Sequence, residues 1–200
     1  EGVVEIIDWS EQREQIKNWP DIQIESYRHA IKNAIGKTKW LALIDTDEFI
    51  LPMKNKTIQN CLSRYFSHAK AIYAQWRIFG TSGVRLSENE SMLTQLTFCA
   101  DKKHPWNSIG KSIVQPAHVL IDKIWYNHHF PLTESSDYTD GSGNKIRMKN
   151  YNIFPPTHQD KYIRINHYFF RDEKFYREVK IPRKLKRNMS IHDLTCLYQA

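Results

Sequence analysis

The sequence predicts an α/β fold, a sheet flanked by helices, on three observations. Short β-branched and aliphatic runs alternate with stretches whose apolar residues recur at helical spacing. The alternation runs strand, helix, strand, helix, strand across residues 2–79, which is the pattern of a sheet with crossover connections. A chain of 200 residues with 40% apolar content is also long enough to bury a core of this kind.

Taken in order, residues 2–8 (GVVEIID) read as a buried strand. Residues 9–22 are polar, and Trp19-Pro20 reads as a breaker. Tyr27, Ala30, Ile31, Ala34 and Ile35 fall at i, i+3, i+4, i+7 and i+8, one face of a helix, and Gly36 offers a stop. Residues 40–45 (WLALID) form a second apolar strand. Ile58, Cys61, Leu62, Tyr65 and Phe66 repeat the helical spacing, and residues 71–79 (AIYAQWRIF) supply a third strand. Further strands are expected at 111–115, 119–126 and 162–170, with a loop-rich stretch at 131–160.

Composition narrows the function classes. Lys and Arg number 29 against 22 acids, a net charge of +7, which favours anionic partners such as phosphate-bearing ligands. Cys61, Cys99 and Cys196 are scattered without CxxC spacing, so reduced thiols in a cytoplasmic compartment are expected rather than a disulfide framework. No apolar run reaches the roughly 20 residues that cross a bilayer. Residues 171–187 hold eight Lys/Arg against three acids and read as a basic helical tail, 171–200, following a catalytic unit at 1–170. That tail suits a solvated helix, peripheral contact with an anionic membrane, or nucleic acid. No nucleic-acid-binding signature accompanies it, so no nucleic acid partner is expected.

The sharpest chemical feature is Asp45-Thr46-Asp47-Glu48, directly after the most apolar strand. In open α/β sheets ligands bind beyond the carboxyl ends of strands. Carboxylates at i and i+2 there can converge on Mg²⁺ or Mn²⁺, which neutralises a diphosphate leaving group. Gly80 and Gly83 end the third strand, where glycine serves either an ordinary tight turn or a close approach of backbone to a ligand. Lys111 reads equally as a group that offsets phosphate charge and as a solvated lysine on a strand edge. Four acids in the polar stretches that follow, Glu88, Glu90, Glu134 and Asp137, are candidates for a general base. Asp137 and Glu134 are favoured because they follow His128-His129 in a long loop.

Four ordered segments carry a resemblance. They are WLALIDTDEFILP at 40–52, WRIFGTSG at 76–83, GKSIVQP at 110–116 with His128 or His129 after it, and INHY at 165–168 with Phe175 and Lys180 beyond. Together they resemble glycosyltransferase family 92 and related family 2-like enzymes. The resemblance implies a GT-A-like, Rossmann-type mixed sheet, N-terminally incomplete because the chain opens at Glu1 without the usual base-binding strand and helix. It implies transfer of a sugar from a nucleotide-sugar donor, UDP-linked, to a glycan hydroxyl, assisted by Mn²⁺ or Mg²⁺. By that analogy Asp45 lies near the donor ribose or the metal, and Asp47 ligates the metal. His167 is the second metal ligand, with His129 and then His128 as substitutes. The chain departs from the family at Leu93-Thr94-Gln95-Leu96 and at Arg171-Asp172. Two other classes use the same residues: a metal-dependent phosphohydrolase or nuclease, and a non-enzymatic basic module for RNA or membrane. A nucleotide-sugar turnover that requires an acceptor separates the first from the transferase. Salt-dependent binding that survives loss of both aspartates marks the second.

Overall fold

The computed structural model describes residues 4–11, 16, 18–87, 89–133, 137–147 and 158–186. The described residues form α1 (Trp19–Ala34), β1 (Leu41–Ala42), β2 (Glu48–Pro52), α2 (Ile58–Tyr65), β3 (Ala71–Ile78), the one-turn α3 (Met92–Gln95) and β4 (Gly110–Val114). Then come β5 (Asp137–Asp140), β6 (Lys145–Arg147), β7 (Ile163–His167) and a helical run made of α4 (Glu173–Phe175), a π-turn (Tyr176–Lys180) and α5 (Ile181–Leu185). None of the described helices is long and apolar enough to cross a membrane.

The strands make one mixed, seven-stranded sheet in the order β1-β4-β3-β5-β6, with a β2–β7 pair attached to β3 through β7. Strand β3 is its spine. Seven of its eight positions are buried and Arg77 is half-buried, as expected of a strand covered on both faces. Because side chains alternate across a strand, Ile72, Ala74, Trp76 and Ile78 face one core with Cys61, Leu62 and Phe66 of the α2 region. Ala71 and Tyr73 face the other, with Ile24, Tyr27 and Ile31 of α1. Thr57 caps α2 by accepting from the Asn60 amide at 3.2 Å. Gly36 ends the α1 segment at φ +76°, a conformation that favours glycine.

The structure corrects several local expectations. Residues 4–8 form no strand, and Val4 and Ile6 are 83% and 90% exposed. Apolar composition permits a strand, but only a paired neighbour makes one. Trp19-Pro20 opens α1 instead of breaking it, since proline's missing amide hydrogen costs nothing in a first turn. The expected strand at 119–126 is replaced by single-turn 3₁₀ segments at Pro116–His118 and Ile121–Lys123, with one bridge from Val119 to Leu132. Its apolar residues Val119 and Ile124 are buried against α1 through those turns. The strand expected at 40–45 shortens to two residues. The expected crossovers are interleaved: β4 inserts antiparallel between β1 and β3.

Gly110 lets β4 lie close to β3. A Cβ there would collide with the Ala74 carbonyl and crowd the Gln75 Cα. Gly110→Ala is expected to lower stability by about 2 kcal/mol, read as a lower urea midpoint at unchanged slope. An unchanged midpoint would mean that the two strands are not packed this tightly.

Candidate active site

A cleft of about 560 Å³ opens where β1, β3 and β7 end and β4 begins. This is the strand-end position at which α/β sheets hold ligands. Its charged walls carry Asp45, Asp47, Lys111, Lys180 and Arg183. A larger hollow of about 780 Å³ lies between β2 and α2, but no carboxylate or imidazole lines it.

The turn from Asp45 to Glu48 is closed twice. The Glu48 amide donates to the Asp45 carbonyl at 3.1 Å, and the Asp45 amide donates to Glu48 Oε2 at 3.1 Å. Strand β2 then pairs antiparallel with β7, setting Glu48 opposite His167. Strand β7 runs parallel to β3, setting His167 beside Ile78. The Tyr168 amide donates to the Asp47 carbonyl at 2.9 Å. These bonds bring residues distant in sequence to one point.

Each aspartate faces its own cation. Lys111 Nζ lies 3.2 Å from Asp45 Oδ2, with the lysine side chain 1% exposed and the aspartate 45% exposed. Asp47 Oδ1 is 3.6 Å from His167 Nε2, and its Oδ2 is 3.2 Å from Lys180 Nζ. Burial works to raise the Asp47 pKa, but His167 and Lys180 hold it well below the usual carboxylate range. Burial drives His167 below an ordinary imidazole, against the pull of Asp47. At neutral pH the pair is therefore an ionised carboxylate facing a neutral imidazole. Burial pushes Glu48 up to about 7, against the attraction of Lys111. For Lys111, burial opposes the charge, yet Glu48, Tyr27 and Asp45 raise its pKa.

Aromatic rings run unbroken along the cleft. Trp106 meets Phe169 at 5.4 Å between centroids, Phe169 meets His167 at 5.7 Å, His167 meets Trp76 at 4.4 Å, and Trp76 meets His128 at 5.3 Å. Lys180 also sits 4.2 Å from the Phe169 ring centre.

Of the residues expected from sequence, Asp45, Asp47, Lys111 and His167 come together here, and so does His128. His129 is buried at 4% exposure and does not line the cleft. Gly80 and Gly83 lie outside the lining: the Gly80 amide bonds to the Phe98 carbonyl, and Gly83 sits in a turn at φ +68°. Asp137 begins β5, two residues before Thr139, which pairs in parallel with Ile72. Trp76 comes four residues after Ile72, so Asp137 is set apart from the cleft by roughly 20 Å along the strands. Glu90 is exposed, and Glu88 and Glu134 lie outside the described residues.

Sequence reasoning gave Glu48 no role of its own, yet it is 3% exposed. The apolar FILP that follows it was the available signal. It also assigned no site role to Lys180 and Arg183, which the basic segment after 170 contributes to the cleft. Lys180 lies 133 positions from Asp47, and no local pattern links the two.

Among the described residues, no group of three His, Cys, Asp or Glu side chains gathers to hold a metal ion by itself. A family model described as glycosyltransferase family 92 matches residues 1–192. A glycosyltransferase family 92 protein of rice, Oryza sativa subsp. japonica, is 26% identical over 137 residues, covering 66% of this chain. The chain spans 22% of that relative's length. No solved structure matches the chain.

The Glu48 geometry predicts a pH dependence. Its native pKa is raised above the unfolded value, so its favourable contribution is complete below about pH 4.5 and lost as pH rises through about 7. Relative to Glu48→Gln, the wild type is expected to lose up to about 3 kcal/mol across that window. Thermal melts of both proteins from pH 4 to 8 check this, and parallel curves would refute it.

Proposed function

The chain belongs to glycosyltransferase family 92, and from that premise we propose that this cleft transfers a sugar from a nucleotide-linked donor, UDP-linked, to a glycan hydroxyl. The observation that carries the proposal is the meeting of Asp45, Asp47 and His167 with Lys111, Lys180 and Arg183 in one cleft at the strand ends. A nucleotide sugar presents two phosphates beside a neutral polyol, and this cleft offers cations beside aromatic rings.

The donor set fits a divalent cation. Asp47 supplies ionised oxygen and His167 a neutral imidazole nitrogen 3.6 Å away, and His167 Nδ1 is buried with no partner among the described residues. Mg²⁺ and Mn²⁺ are commonly held by one or two protein groups plus substrate phosphates and water. Two or three protein ligands therefore suffice, and the mixed oxygen and nitrogen set favours Mn²⁺. Asp47 and His167 would hold the ion, with Asp45 at its edge, and when bound it would neutralise charge on the departing diphosphate.

The protein's own groups do the remaining work. Lys111, anchored on Asp45, and Lys180, anchored on Asp47, place positive charge at the cleft wall before any ligand arrives. Such preorganised charge needs little rearrangement as the leaving group develops. Arrival of a diphosphate gives Lys180 a second anionic partner and frees an oxygen of Asp47. The rings of Trp76, Trp106 and Phe169 exclude water from one side. Glu134 remains a candidate general base, while Asp137 is not one in this reading, because β5 carries it to the far end of the sheet. The basic segment is assigned to ligand binding through Lys180 and Arg183. Peripheral membrane contact by the residues beyond it is the remaining part of this reading.

Asp47→Ala is expected to weaken Mn²⁺-dependent UDP binding at least about tenfold, or about 1.4 kcal/mol, by titration calorimetry. Wild-type affinity in that variant, or identical affinity with Mn²⁺ and with EDTA, would contradict the reading.

A further inference from the structure

His128 has a role that the diphosphate and metal chemistry leaves unassigned. Its Nδ1 lies 2.7 Å from the Gly110 carbonyl oxygen. A carbonyl only accepts, so the ring proton sits on Nδ1 and donates there. In the neutral imidazole Nε2 is then the acceptor. Burial, then the nearby Lys111, pushes the His128 pKa down to about 4, against the Gly110 bond, so the neutral form is held at physiological pH.

Its position is equally constrained. The Ser112 hydroxyl donates to the His128 carbonyl at 2.7 Å, tying this segment to β4. The ring packs between Trp76 at 5.3 Å and Tyr126 at 5.0 Å. His128 lines the cleft, and its Nε2 makes no hydrogen bond among the described residues yet, unlike His129 Nε2 and His167 Nδ1, is not fully buried. Nε2 therefore opens on the cleft as an uncharged acceptor. The adjacent Trp76 carries an indole N–H that is buried with no partner among the described residues.

An uncharged acceptor does not suit a phosphate. Phosphate oxygens only accept near neutral pH and are better held by Lys111, Lys180 and Arg183. A hydroxyl donates and accepts at once, and a pyranose adds an apolar C–H face that packs on aromatic rings. We infer that His128 holds a hydroxyl of the reacting sugar, accepting its hydrogen bond at Nε2 while the sugar ring lies on the aromatic strip beside Trp76. The inference rests on the transferase reading of the cleft and adds the sugar subsite within it. No bond is made or broken by His128 in this role: it orients the sugar.

The test separates phosphate from sugar. Calorimetry with Mn²⁺ present measures UDP, then UDP-glucose and UDP-galactose, and then methyl glucoside, galactoside and mannoside in the presence of UDP. His128→Phe keeps a ring but removes the acceptor, and His128→Gln restores one. UDP affinity is expected to stay within twofold in both variants. Affinity for a sugar-bearing ligand is expected to fall about tenfold in His128→Phe and to recover in His128→Gln. A loss confined to the nucleotide sugars places the donor sugar at His128, and a loss confined to the glycosides places the acceptor there. Equal losses for UDP and the sugars, or no loss in either group, overturn the inference. Should His128→Phe fail to fold, the ¹⁵N resonance of Nε2 in the wild type decides. It is expected to shift on adding sugar and not on adding UDP, and the reverse overturns the inference. UDP binding with sugar indifferent to His128 sinks only this inference. Sugar binding through His128 without UDP binding sinks only the transferase reading, and binding of neither sinks both.

Discussion

Strand β7 is paired on both edges, antiparallel to β2 and parallel to β3, and that double pairing holds the cleft together. Through β2 it fixes the turn that carries Asp45 and Asp47. Through β3 it fixes Trp76 beside His167. A one-residue slip in either ladder would turn His167 to the opposite face of the sheet and take its imidazole away from Asp47. The hydrogen-bond register thus decides whether an acid and a histidine, 120 positions apart, become one site.

Around that frame the charges are arranged at a cost. Lys111 is buried with its ammonium group near Asp45 and Glu48, and a buried ammonium without such partners would be strongly destabilising. Asp47 is similarly held between His167 and Lys180. These pairs add little net stability, because desolvation offsets much of their attraction. What they provide is placement: each carboxylate and each cation is fixed in direction before a charged ligand enters. The aromatic strip from Trp106 to His128 supplies the uncharged complement. The cleft thus presents a charged wall and an aromatic wall side by side.

The helical run after residue 170 belongs to this arrangement. Asp172 caps α4 by accepting from the Phe175 amide at 2.8 Å and also accepts from the Leu86 amide at 3.1 Å, which ties the run to the loop after β3. Lys180 then reaches Asp47 from the π-turn. In sequence this stretch reads as a charged tail, because charge density describes a solvated helix and a ligand-binding helix equally well. Its role follows from what it packs against.

Local chemistry was legible along the chain. The spacing of Tyr27 and Ile31 placed α1, that of Cys61 and Leu62 placed α2, and the apolar run at 71–79 marked the buried spine β3. The acids after WLALI stood out because carboxylates between apolar segments need partners. Side-chain periodicity and residue type act within a few positions, so a linear reading reaches them. Pairing does not: nothing local says that β4 enters between β1 and β3, that residues 4–8 stay unpaired, or that 119–126 coils into turns. The meeting of Asp47 with Lys180, the burial of Glu48 and the free face of His128 came only from the folded chain, because each depends on contacts between segments far apart in sequence.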